Sequence, residues 1–169
     1  MKNLSEIKVE VDRQAALLGA IDNYSLPTYG RSEDGARPYV EIDSLGYHLV
    51  VIERDIELSR LTTIDLDVLL YKIFENVTFS LACNYELANR IQGQDSRRIL
   101  FQRQIELLLI LSSSWGERRA QEHKSILQKY PFDDSSSLRI NLSEELRLKG
   151  HPALIAWKMA CEQYPPLSK

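Results

Sequence analysis

The chain has 169 residues, 44% of them hydrophobic and 27% charged, with a formal net charge of −3 and an isoelectric point near 5.7. That size and mix suit a single globular domain over residues 1–169, with a core that closes without disulfide or metal staples. No run of 18 apolar residues occurs and the opening MKNLSEIKVEVD is charged, so no membrane span or secretory leader is readable and the expected location is the cytoplasm.

Leu4, Ile7, Val11, Ala15 and Leu18 follow helical spacing behind Asn3 or Ser5 as a cap, which predicts a first amphipathic helix ending near Gly19. From Ile21 to Arg37, Pro27, Gly30 and Asp34-Gly35 mark turns, so this reads as a long loop carrying Tyr24 and Tyr29. RPYVEID alternates, with Val40 and Ile42 on one face and Tyr39, Glu41 and Asp43 on a wet face. YHLVVIER is apolar on both faces and reads as the middle strand of a three-stranded antiparallel meander, with IELSRLT as its far partner. A tight turn at Arg54-Asp55 joins these two strands, although a type I′ turn favours glycine.

The stretch from Thr63 to Asn89 carries a stripe of Leu66, Leu70, Ile73, Phe74, Val77 and Leu81, with further apolar residues on other faces. It predicts a long central helix covered on more than one side, capped by Thr62 or Thr63 and stopped before Gly93. Asp95 caps a helix over about 96–111, Trp115 restarts one to Tyr130, and Pro131 stops it. An extended piece is expected at Leu138–Asn141, then helices over about 143–150 and 152–163. The fold expected is α+β, a meander packed with a central helix and several further helices.

Chemistry is sparse. His48, His123 and His151 stand apart, with no HExxH or CxxC, so no metal or cofactor is expected. GxSxG, GxxxxGK[ST] and GxGxxG are all missing. Cys83 and Cys161 read as reduced core thiols. Asp65 with Asp67, or Glu75 with Glu86, would do acid–base work only if the fold joined them. Arg97 and Arg98 open a helix where cations oppose the dipole, so Glu86 and Asn89 across Gly93 are the expected partners, with a partner protein as the other reading. A basic stripe from Arg97 to Lys129 is broken by Glu106, Glu117 and Glu122, which disfavours nucleic acid. Between Arg31 and Glu57, seven acids face three bases, a local −4 that steers basic partners.

GARPYVEID, GYHLVVIER, TTIDLDVLLYKIFENVTFSLACNYE, GQDSRR and PFDD occur in this order. In them the chain, over about 27–134, resembles immunity protein family 63 of bacterial polymorphic toxin systems, leaving 135–169 as a helical extension. The resemblance implies a non-catalytic protein that binds and neutralises a cognate toxin. Tyr29, Tyr39, Glu41, Asp43, Tyr47, Arg97 and Arg98 are then the candidate partner contacts, aromatics anchoring and acids steering. The competing expectation is a small-ligand protein or enzyme using a pocket between loop 21–37 and the meander. Oligomeric state is not readable.

Overall fold

A computed structural model describes residues 1–19 and 21–166. Helix α1 (Leu4–Leu17) begins with a reciprocal capping box, in which the Asn3 side chain accepts from the Glu6 N–H and Glu6 accepts from the Asn3 N–H. Four strands follow: β1 (Thr28–Tyr29), β2 (Pro38–Asp43), β3 (Gly46–Glu53) and β4 (Ile56–Thr63). Then come α2 (Leu66–Ala88), α3 (Arg97–Leu111), α4 (Ser113–Lys129), α5 (Ser136–Leu148) and α6 (Ala153–Gln163).

The sheet order is β1-β2-β3-β4, antiparallel except for β1, which runs parallel to β2. The expected three-stranded antiparallel meander is therefore corrected to a four-stranded mixed sheet. The extra strand lies inside the long loop, where Thr28 and Tyr29 pair with Tyr39 and Val40 and the Gly30 N–H donates to the Val40 carbonyl at 2.8 Å. Two residues are too short for an alternation to be seen in sequence.

The Arg54-Asp55 turn forms without glycine, both residues having left-handed φ of 51° and 62°. Asp34 and Ala36 share that region at 58° and 60°. The two strained turns support each other, since Arg54 N–H donates to Asp34 Oδ1 at 2.7 Å and Ala36 N–H to the Ile52 carbonyl at 2.9 Å.

By backbone contacts the chain divides into two compact units, residues 1–81 with 104–119, and residues 82–103 with 120–169. In the first, α1 contributes Ile7, Val11 and Ala15, the sheet Val40, Tyr47 and Leu49, and α2 Leu70, Ile73, Phe74 and Val77 to one core. Trp115 stacks on Phe74 and meets Tyr71 edge-on, both at 6.1 Å, and its indole N–H donates to Asp67. Leu69 and Tyr71, off the main stripe, are also buried, but Phe79 and Leu87 are exposed, so the expected cover on more than one side is met only in the first turns of α2. Asp65, rather than Thr62 or Thr63, caps α2 by accepting from the Asp67 N–H, while Thr63 accepts from the Asp65 N–H.

In the second unit, α5 covers Leu138–Asn141, so the expected extended piece is corrected to helix. Ser136 N–H turns onto the Asp133 carbonyl and Arg139 N–H onto the Ser135 carbonyl, starting the helix seven residues earlier than the Ser143-Glu144-Glu145 signal suggests. The cap that shows in sequence is thus an interior position, a weak local signal that the packing of α5 on α6 overrides.

Candidate functional site

The two faces of the sheet have different chemistry. Val40, Tyr47 and Leu49 point into the core. The opposite face is built from two cross-strand rows, Tyr39–Val50–Arg60 and Glu41–His48–Thr62, with Asp43 at the end of β2. The alternation of β2 placed Tyr39, Glu41 and Asp43 on a wet face, but only part of this face is wet: Asp43, Arg60 and Thr62 are exposed and Glu41 half-buried, whereas Tyr39, Val50 and His48 are buried.

A β-bulge decides its membership. The Arg54-Asp55 turn begins a register in which Glu53 faces Ile56 and Ile52 faces Glu57, but Val51 then faces Ser59, leaving Leu58 as an extra residue. Were Leu58 instead paired with Val51 in regular register, with no bulge, Arg60 would sit opposite Leu49 and enter the core. With it, Leu61 takes that place and Arg60 emerges on the polar face.

Arg60 spans the sheet, donating to Glu41 Oε1 at 2.5 Å and to Glu57 Oε2 at 2.7 Å. The two carboxylates raise the Arg60 guanidinium above its ordinary pKa, and Arg60 in turn lowers Glu57. His48 is 2% exposed and fully engaged, Nε2 at 2.8 Å from Asp43 Oδ1 and Nδ1 at 2.8 Å from Thr62 Oγ1. An ionised Asp43 accepts only, so in the neutral ring Nε2 carries the proton and Nδ1 accepts from the Thr62 hydroxyl. The His48 hydrogen bond, followed by the Leu45 N–H, holds Asp43 below the usual carboxylate range. A hydroxyl, an imidazole and a carboxylate in line are the parts of a nucleophilic triad, yet here the ring nitrogens are reversed, Nδ1 on the hydroxyl and Nε2 on the acid.

Of the residues singled out from sequence, Tyr39, Glu41 and Asp43 are together on this face. Tyr39 is only 7% exposed, and burial, then Glu41, raises its phenol pKa. Tyr47 lies on the core side, 3% exposed, its hydroxyl accepting from the Lys2 N–H at 2.8 Å. Tyr29 packs partly against the core; its hydroxyl is buried without a hydrogen-bond partner and burial raises its pKa. The surrounding loop and α1 form a cleft of about 420 Å³ lined by Lys8, Asp12, Tyr29, Arg31 and Arg37 among others.

Arg97 and Arg98 belong to the second unit, and their expected pairing with Glu86 or Asn89 is corrected. Arg97 grips Asp95 at 2.6 Å and donates to the carbonyls of Tyr130 and Pro131. Arg98 binds Asp134 through two 2.9 Å bonds and lies over the Phe132 ring. Glu86 pairs instead with Arg90, four residues on along the chain. Burial pushes the Asp95 carboxyl up, but Arg97 and the backbone N–H groups of Asp133 and Arg97 outweigh it and hold Asp95 low. The loop PFDD thus compensates the unfavourable dipole position of both arginines, a link that the spacing of 33 to 36 residues conceals.

Glu75 joins Arg119 at 2.6 Å and Lys72 at 2.6 Å. His48, Arg60 and Thr62 were not singled out as contacts, and their only sequence signal is the alternation of β3 and β4, which the bulge obscures. Among the described residues no group of three or more His, Cys, Asp or Glu side chains is disposed to hold a metal ion, and no helix is long and apolar enough to cross a membrane.

These features define a class, an α+β protein presenting an internally paired polar sheet face. Residues 43–125, just under half of the chain, match the model of the family Immunity protein 63, the family that the sequence blocks resemble. The match takes in β3, β4, α2, α3 and most of α4. Searches of the curated proteins and of the solved structures returned no match.

Proposed function

We propose that this chain is a cytoplasmic immunity protein that binds one cognate bacterial toxin of a polymorphic toxin system and neutralises it as a stoichiometric, non-catalytic inhibitor. The observation that carries the reading is the match of residues 43–125 to Immunity protein 63. The geometry adds a candidate surface, the polar face of Glu41, Asp43, Arg60 and Thr62 with the rim of Tyr39. Tyr47, Arg97 and Arg98 are engaged internally, and Tyr29 is half-buried, so the contact set proposed centres on the sheet face.

A polar face whose charges are already paired suits a protein that is stable alone and docks without rearrangement. Protection at low concentration calls for a dissociation constant near nanomolar, about −12 kcal/mol, over an interface of about 1,600 Å². Co-expression with the C-terminal domain encoded by a large open reading frame adjacent to its gene tests the reading. Rescued growth and a stable 1:1 complex support it; a toxic neighbour neither bound nor rescued rejects that pairing. Glu41→Ala combined with Arg60→Ala then tests the face, with a loss of affinity of at least tenfold expected. A smaller loss moves the contact elsewhere.

A further inference from the structure

Strand β4 closes the sheet order, and among the described residues no strand pairs with its outer flank. Alternate residues of an edge strand turn N–H and C=O outward, a row of donors and acceptors that only another extended backbone matches in spacing. β4 is long for such an edge, eight residues, and most of it is exposed. It contains no proline and no lysine, the residues that commonly blunt edges, and its one bulge lies near its start, leaving Ser59–Thr63 in regular register. Exposed Ile56 and Leu58, at 64% and 56%, lie at the beginning of the strand and Ile64, at 80%, just past its end.

We infer that this flank receives an extended segment of the toxin as a fifth strand, a segment with a lysine or arginine at each end and an apolar residue beside each of them. This rests on the immunity reading above and adds the mode of docking. The charge requirement comes from the two ends of β4, with Glu53 and Asp55 about the one base Arg54 before its start and Asp65 and Asp67 after its end, Glu57 being already paired with Arg60. The same acids disfavour a second copy of this chain, because two β4 strands paired in either direction bring acid onto acid. The edge also adjoins the polar face through Arg60 and Thr62, so one partner reaches both.

The test compares amide hydrogen exchange in the whole chain, free and mixed with the purified C-terminal toxin domain, together with the binding kinetics of the Glu53→Gln/Asp55→Asn variant. At least tenfold slower exchange of the outward amides within 56–63, with association of the variant slowed at least threefold, is the expected result. A 1:1 complex in which these amides exchange as in the free chain overturns the edge and leaves the immunity reading standing. No complex at all with the native chain overturns both. Slowed exchange that appears without toxin and grows with protein concentration assigns the edge to self-pairing and overturns the inference.

Discussion

Arg139 shows how much one buried cation holds in this protein. It is 4% exposed, pairs with Asp133, and donates to the carbonyls of Tyr164 and, more weakly, Pro165. Removing it strands a carboxylate and two carbonyls in a poorly solvated place. Arg139→Ala is therefore expected to cost about 3 kcal/mol, read from the urea midpoint, more than loss of an exposed pair such as Lys149–Glu145. Asp134 adds a pH signature. Its two bonds from Arg98, and the Asp95 N–H, lower its pKa to about 2 from an ordinary 3.8. A depressed carboxylate contributes stability that is present above pH 4 and is lost as pH falls towards 2. Equilibrium unfolding across that window should show stability declining with acid, and Asp134→Asn should reduce the slope there.

At the scale of elements, the bulge at Leu58 carries the greatest consequence. Deleting Leu58 closes β4 into an unbulged ladder in which Glu57 still faces Ile52, Ser59 still faces Val51 and Arg60 still faces Val50, so neither face changes its residues. Leu58 is itself exposed, so the deletion variant should unfold within about 1 kcal/mol of the parent in denaturant. A loss of about 2 kcal/mol or more, the cost of exposing Leu61, would show instead that the strand had slipped and its faces had exchanged. The helices are less delicate. α1 and α3 begin at caps visible in sequence, Asn3 and Asp95, the latter accepting from the Arg97 N–H at 3.0 Å.

For the whole molecule the relevant property is uneven charge. The net charge is −3, while the segment from Arg31 to Glu57, which holds β2, β3 and the strained turns, is −4 by itself. A basic toxin approaching this side is accelerated by the field at low salt, an advantage screened once the Debye length falls to about 3 Å near 1 M. The association rate constant with the toxin should thus drop at least tenfold between about 0.05 M and 1 M salt, with a smaller change in the dissociation rate. A rate constant flat in salt would place the contact away from the acidic segment.

Sequence alone determined what local physics controls. Periodicity and caps located α1, α2, α3 and α6 to within a few residues, because a 3.6-residue repeat of apolar side chains needs no distant partner to be read. Alternation in β2 likewise separated Val40 and Ile42 from Tyr39, Glu41 and Asp43. Tertiary structure alone decided whatever depends on pairing between separated residues. The strand at Thr28–Tyr29 exists only because β2 offers a free edge. Besides Asp95, two residues from Arg97, the partners of Arg97 and Arg98 come from a segment more than 30 residues away. The polar face gains Arg60 and Thr62 through one bulged residue, since side chains alternate with a period of two and a one-residue shift exchanges the faces of a strand.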